Sequence, residues 1–122
     1  MKSSVFLVVM TMMLPGIALA DVSPKQQPEV AHLLRFIENS SCRINRNGSF
    51  HQGKDAAAHI LKKYDYFRDR IKTTEQFIEY SATKSTMSQK YYTVRCNGAK
   101  EIRTKDWLLR ELKAYRSNTP RR

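Results

Sequence analysis

The chain has 122 residues and a formal charge of +11 at pH 7, with 22 Lys and Arg against 11 Asp and Glu. This length suits one compact domain and leaves no room for a second. The cationic balance favours anionic partners, although the same charge could serve solubility alone.

Residues 1–20 carry the three parts of a secretory signal peptide. Lys2 gives a positive start, an apolar run extends from Val5 to Leu14, and Ala18-Leu19-Ala20 forms a small-x-small cleavage site. The apolar run is too short to span a bilayer, so no transmembrane segment is expected. We therefore expect cleavage near Ala20, a periplasmic or secreted location, and a mature chain of 102 residues with charge +10.

The next stretch predicts a lead-in, a helix, a strand and a turn. Residues 21–28 are polar with two prolines and indicate a flexible lead-in. The first helix begins at Pro28, and its apolar stripe at i, i+3, i+4 and i+7 comprises Val30, Leu33, Leu34 and Ile37. A short alternating strand follows from Cys42, and Asn47-Gly48 predicts a turn.

The middle of the chain predicts two more helices and a loop. The second helix, from Gln52 or Gly53 to Arg70, has an apolar face formed by Ala57, Ile60, Leu61, Tyr64, Phe67 and Ile71. Thr73 and Gln76 indicate a capping box at the start of a short third helix. The Ser- and Thr-rich stretch from Ser81 to Gln89 is typical of a loop.

Two cysteines predict how the strands pair. The second predicted strand runs from Lys90 to Cys96, whereas Cys42 begins the first strand. In an oxidising compartment two such cysteines favour a disulfide. Because the bond would join the start of one strand to the end of the other, adjacent strands would have to be antiparallel. Closing a loop of this length would stabilise the fold by about 4 kcal/mol at most.

Together these elements predict an α+β domain. Thr104 is expected to cap a last helix that carries Leu108, Leu109 and Leu112. The expected fold is four amphipathic helices on a two-stranded antiparallel β-ribbon, in the order α-β-α-α-β-α, with one disulfide. A single compact domain over 29–116 and a basic disordered tail over 117–122 complete this prediction.

A strand-turn-helix corner concentrates unusual polar side chains. His51, Asp55 and His59 are spaced i, i+4 and i+8, so the two histidines lie about 12 Å apart along a helix and cannot share one metal ion. No metal or cofactor site is therefore predicted. The candidate binding surface consists of Arg46, Asn47, His51, Asp55 and His59. The alternative is that Asp55 serves the helix dipole and the histidines flank the core.

A second candidate is a cationic face. Arg43, Arg46, Tyr91 and Arg95 are predicted on the outer face of the ribbon, with Lys62 and Lys63 on the second helix. Such a face could contact phosphates and stack against rings. The alternative is an ordinary solvated basic surface.

No complete catalytic constellation is present. His51 or His59 could act as a base for Ser85 or Ser88, but no nucleophile elbow, zinc-protease motif or phosphate loop supports a hydrolase. The interpretation leans away from an enzyme. We expect a monomer whose partner is an envelope protein or an anionic surface, and nucleic acid is not an expected partner in the periplasm.

Two strings in the sequence resemble a known family. RNGSFHQGKDAAAHILKK and RIKTTEQFIEYSATKSTMSQKYYTV are similar to the YfeK-like bacterial envelope proteins of unknown function, over about 46–94. The matching positions are Arg46, Asn47, Gly48, His51, Ala56, His59, Lys63, Arg70, Ile71, Thr73, Glu75, Gln76, Phe77, Ile78, Tyr92 and Val94. Asp55, Thr74 and Tyr91 depart from the family pattern of Glu, Ala and Pro.

The resemblance implies export and a common fold, and it implies no activity, cofactor or catalytic residue. The favoured hypothesis is an exported envelope domain that acts by binding or as an accessory. A binder of anionic polymers or lipid headgroups, and a histidine- or metal-dependent hydrolase, are the alternatives.

Overall fold

The computed structural model of the protein describes residues 21–118. Within that range the helices are α1 (Gln27–Glu38), α2 (Gly53–Tyr66), α3 (Thr74–Ser81) and α4 (Thr104–Asn118), with a 3-10 helix over Arg68–Arg70. The strands are β1 (Arg43–Arg46), β2 (Ser49–Gln52), β3 (Thr93–Arg95) and β4 (Ile102–Arg103). They form one antiparallel sheet in the order β2-β1-β3-β4.

The α+β class and the four helices are confirmed, but the two-stranded ribbon is wrong. β2 extends the sheet on one side and β4 on the other, so the element order contains two additional strands. Asn47 and Gly48 join β1 to β2 with φ values of 55° and 89°. Positive φ at both central residues is typical of the tight hairpin turn, which Asn-Gly favours.

The predicted pairing of the two cysteine-bearing strands is confirmed. β1 and β3 run antiparallel, with Ile44 opposite Val94 and Arg43 opposite Arg95. One step further along this register, Cys42 and Cys96 are joined by a disulfide with a Cα–Cα distance of 4.2 Å. The bond therefore closes the end of the central strand pair.

Several element ends differ from the sequence prediction. α2 ends at Tyr66 and continues as the 3-10 helix, whereas one helix was expected up to Arg70. Thr73 caps α3 as predicted, since its hydroxyl accepts the Gln76 N–H at 3.1 Å. The Gln76 side chain returns to the N–H of Lys72 rather than to that of Thr73.

The core lies between the helices and one face of the sheet. Its fully buried apolar side chains include Val22, Leu33, Ile37, Ile44, Ile60, Ile71, Phe77, Ile78, Val94 and Leu108. Val22 belongs to this core, and the Asp21 carboxylate accepts hydrogen bonds from Tyr64 (2.6 Å) and Arg68 (2.9 Å). Residues 21 and 22 are therefore packed, in contrast to the flexible lead-in expected from composition. The signal peptide and most of the predicted tail lie outside the described residues.

Two sets of contacts fix the helices relative to one another. A Cβ built on Gly53 would lie 2.1 Å from the Ile37 carbonyl oxygen, so the start of α2 touches the backbone at the end of α1. The Arg116 guanidinium on α4 donates to Glu29 on α1 and Glu75 on α3, at 2.8 Å each. Between residues 21 and 118, no helix combines the length and apolar character needed to cross a membrane.

Candidate anion-binding surfaces

The sheet has a helix-covered face and an open face, and strand register assigns each side chain to one of them. Residues opposite each other in a sheet share a face, and neighbours along a strand alternate. Ile44 lies opposite His51 and Val94, so His51 is on the helix-covered face. Arg46, two residues after Ile44, is on that face as well. The prediction that Arg46 joins Arg43 on the outer face is therefore wrong, because the two side chains differ in parity.

Basic side chains from the hairpin and from α2 meet around one tyrosine. We call Arg46, His51, His59, Lys63 and Tyr92 the inner cluster. The Lys63 ammonium donates to the Tyr92 hydroxyl at 3.2 Å and to the Lys84 carbonyl at 2.7 Å. The His59 Nε2 lies 3.3 Å from the same hydroxyl. Tyr92 is only 3% exposed, so these contacts lie at the edge of the core.

The surroundings of the inner cluster disfavour the charged forms of its titratable side chains. Burial lowers the pKa of His59 to about 4, and the nearby Arg46 and Lys63 add to this effect. Burial, and then Arg46, also lower the pKa of Lys63. Burial raises the pKa of the Tyr92 hydroxyl. The inner cluster thus holds two permanent or near-permanent cations next to a histidine that stays neutral.

Within residues 21–118, the inner cluster has no acidic side chain as an ion-pair partner. None of the ion pairs in the described part of the chain involves its side chains. The Arg46 Nε is buried and has no hydrogen-bond partner among the described residues. Because almost all buried polar groups in proteins are paired, an unpaired guanidinium nitrogen marks this place as unusual.

The rest of the predicted corner has other contacts. The Asn47 side chain accepts from the Ser88 hydroxyl at 2.6 Å and donates to the Ser85 hydroxyl at 3.4 Å, so the hairpin holds the Ser-rich loop. Asp55 is exposed in the first turn of α2. Of the candidate binding surface, the structure brings Arg46, His51 and His59 together and gives Asn47 and Asp55 separate surroundings.

The same contacts bear on the hydrolase alternative. Among the hydrogen bonds described for residues 21–118, the Ser85 and Ser88 hydroxyls bond to Asn47 and to the loop backbone, and neither bonds to His51 or His59. Across the same range, no three His, Cys, Asp or Glu side chains are grouped so that they could hold a metal ion.

The open face of the sheet is rich in arginine and aromatic rings. We call Arg43, Phe50, Tyr91, Arg95 and Arg103 the outer face. The Arg95 guanidinium stacks over the Phe50 ring at 4.5 Å, and that of Arg103 stacks over the Tyr91 ring at 3.8 Å. Phe50 and Tyr91 are 38% and 41% exposed, so solvent reaches both rings.

One carboxylate partly neutralises the outer face. Glu101 accepts from the Arg95 guanidinium at 3.0 Å and from the Thr93 hydroxyl. Three arginines thus face one glutamate. Arg43 and Arg95 also line a cleft of about 400 Å³ with Ser41 and residues 96–99.

The residues of the predicted cationic face therefore lie in three different places. Arg43, Tyr91 and Arg95 lie together on the outer face, Lys63 belongs to the inner cluster, and Lys62 is exposed on α2. Sequence reasoning missed Phe50 and Arg103 because it missed β2 and β4. The Asn-Gly turns at 47–48 and 97–98 were the available signals, since a strand often follows such a turn.

Comparison with known proteins gives a family without an assigned activity. Residues 24–116 match the model of a family of unknown function, DUF5329, and the chain belongs to that family. It is 30% identical over 76 residues to the uncharacterised protein YfeK of Salmonella typhimurium strain LT2. That match covers 62% of this chain and 63% of the relative, and it confirms the YfeK-like resemblance. No solved structure matches the chain.

Proposed function

We propose that the protein is an exported domain of the bacterial envelope, and that its outer face binds an extended anionic ligand. The ligand class is a surface or polymer with repeated phosphate or carboxylate groups. The observation that carries the proposal is the set of three arginines interleaved with two exposed aromatic rings, on a sheet face that no helix within residues 21–118 covers.

The geometry of the outer face suits such a ligand. Guanidinium groups bind phosphate and carboxylate through paired N–H donors, which lysine cannot reproduce. Stacking on Phe50 and Tyr91 restricts Arg95 and Arg103 before any ligand arrives, which lowers the entropy lost on binding. Arg43 has no ion pair among the described residues, and it lines the cleft beside the disulfide.

Export is supported by the residues before and after the expected cleavage site. The first twenty residues have the signal-peptide pattern, and the packed Asp21 immediately follows Ala20. Intact mass and N-terminal sequencing of protein from a periplasmic fraction should give a chain that begins at Asp21 with two fewer hydrogens, as the disulfide requires. A full-length chain found only in the cytoplasm would overturn this part of the proposal.

Two double variants of equal charge test the outer face. Arg43→Gln with Arg103→Gln removes two outer-face cations, whereas Arg110→Gln with Lys113→Gln removes two exposed cations of α4. Each basic residue near an anionic membrane contributes about 1 kcal/mol, so the first pair should weaken binding to anionic vesicles roughly 30-fold. The second pair should have a much smaller effect.

Anionic vesicles and heparin, used as two separate probes, distinguish the possible ligands. Wild-type binding to anionic vesicles but not to heparin identifies headgroups, and the reverse identifies a soluble polymer. In either arm, binding should weaken steeply as salt increases. Equal losses for the two double variants, or no binding to either probe at low salt, would contradict a role for the outer face.

A further inference from the structure

We propose that the inner cluster is a second site, which binds one small oxyanion of the phosphate or carboxylate type. It lies on the opposite side of the sheet from the outer face and would bind a single anionic group rather than an extended ligand. The proposal is independent of the proposed function, because different side chains carry it.

The charge of the inner cluster favours a bound anion. Arg46 and His51 come from the hairpin, and His59 and Lys63 stand one turn apart on α2. Side chains at i and i+4 on a helix lie next to each other, so the four basic groups converge from two elements. Like charges at short range repel strongly where water is partly excluded. A bound anion would replace the repulsion between Arg46 and Lys63 by attraction to both of these cations.

The inner cluster also has hydrogen-bond donors that the described residues leave unused. The Arg46 Nε is buried, and no atom of residues 21–118 accepts a hydrogen bond from it. The Lys63 ammonium has three N–H groups, and two acceptors are present for them, at Lys84 and Tyr92. An oxyanion presents several lone pairs at once and could accept from both side chains and from a protonated His59.

The side chains of the inner cluster are held in place by contacts within the protein. The Lys63 ammonium is fixed between the Lys84 carbonyl and the Tyr92 hydroxyl, and it lies 5.1 Å from the Tyr92 ring centroid. The hairpin that carries Arg46 is bound to the Ser-rich loop through Asn47. Preorganised donors bind an anion with little loss of side-chain entropy.

Histidine signals in the NMR spectrum provide the test. Inorganic phosphate is added to the mature protein at constant ionic strength, with chloride as the reference anion. The His59 ring signals should shift saturably, with a Kd of about 1 mM or tighter. Because an anion favours the protonated ring, phosphate should raise the His59 pKa by about one unit, equal to a tenfold preference for that form. His32 is the internal control, because it lies outside the inner cluster and its Nε2 is hydrogen-bonded to the Glu111 carboxylate at 2.7 Å.

Two variants on the same strand separate the inner cluster from the outer face. Arg46→Gln should weaken phosphate binding about tenfold, whereas Arg43→Gln should leave it unchanged. If Arg46→Gln does not fold, as judged by circular dichroism, Lys63→Met takes its place with the same expected loss.

Three results would overturn this proposal. They are a linear, unsaturated shift of His59, an equal shift of His32, and equal losses for the Arg46 and Arg43 variants. None of these results affects vesicle or polymer binding by the outer face, so the two proposals can fail separately.

Discussion

At the scale of single residues, the position of a basic side chain along its strand decides which face of the sheet it lies on, and therefore which groups it can contact. Arg43 and Arg46 lie on the same strand, but Arg43 is exposed on the outer face, whereas Arg46 points to the helices with its Nε buried. The same rule places His51 beside Arg46 and Phe50 beside Arg95. Composition alone could not show this division, because Arg43, Arg46 and Arg95 are the same residue type.

His59 leads to a prediction about stability and pH. Its pKa falls from 6.5 to about 4 on folding, so the unfolded chain binds a proton more readily than the folded protein does. Stability is therefore complete above pH 6.5 and is lost as the pH falls towards 4. The loss should be on the order of 2 kcal/mol, after allowance for partial solvent screening.

A His59→Asn variant measures this contribution. Its free energy of unfolding should change less than that of the wild type between about pH 7 and about pH 4.5, in urea denaturation followed by circular dichroism. The paired carboxylates Glu29 and Glu75 titrate mainly below this window, because hydrogen bonds to Arg116 lower their pKa values. Parallel pH profiles for the two proteins would refute the buried, neutral state of His59.

At the scale of elements, Gly53 sets the contact between α1 and α2. A methyl group at this position would lie 2.1 Å from the Ile37 carbonyl oxygen and 3.0 Å from that of Ser40. Gly53→Ala should therefore lower the free energy of unfolding by about 2 kcal/mol or more, since backbone must move to make room.

Gly98 gives the matched control for that substitution. A methyl group there meets open space, and only the φ of 73° opposes it. Gly98→Ala should cost about 1 kcal/mol. Because α2 carries His59 and Lys63, Gly53→Ala should also shift the His59 ring signal, whereas Gly98→Ala should not. Equal costs in urea denaturation would show that the close approach at Gly53 is not important.

The elements also show how far sequence reasoning extends. The four helices were predictable, because their apolar stripes have the helical period over eight or more residues each. β1 and β3 were predictable from alternation and from the two cysteines together. β2 and β4 were not: β4 has two residues, and in β2 the aromatic Phe50 faces outward while His51 faces inward. Its alternation is thus opposite to that of an ordinary half-buried strand.

The site was predictable only in part for the same reason. His51 and His59 were candidates from spacing, but Lys63 was placed with the cationic face. The buried Tyr92, which links His59 to Lys63, was not singled out as a site residue. Their meeting depends on the register of β1 with β2 and on how α2 packs over the sheet. Neither feature leaves a local pattern in the sequence.

At the scale of the whole molecule, the disulfide connects the two central strands across 54 positions of the chain. Replacing Cys42 and Cys96 by Ala should lower the free energy of unfolding by about 2–4 kcal/mol, because the unfolded chain regains the freedom that the bond removes. That is a large part of the 5–15 kcal/mol typical of a domain.

Reduction provides the control for this double variant. Wild-type protein unfolded in urea with reductant should give the same free energy as the Cys-to-Ala protein. A loss below about 0.5 kcal/mol would show that the sheet and helices hold the fold without the bond. The structure of the outer face should then survive in reducing conditions.

The central claim is that the outer face, and not the net charge of the protein, contacts an extended anion. Mapping of amide NMR shifts during titration with a soluble anionic polymer tests it most directly. We predict that the largest shifts occur on β1, β3 and β4, at Arg43, Asn45, Thr93, Arg95 and Arg103, and that they disappear as salt is raised. Shifts spread evenly over the exposed lysines and arginines of α2 and α4 would contradict the claim.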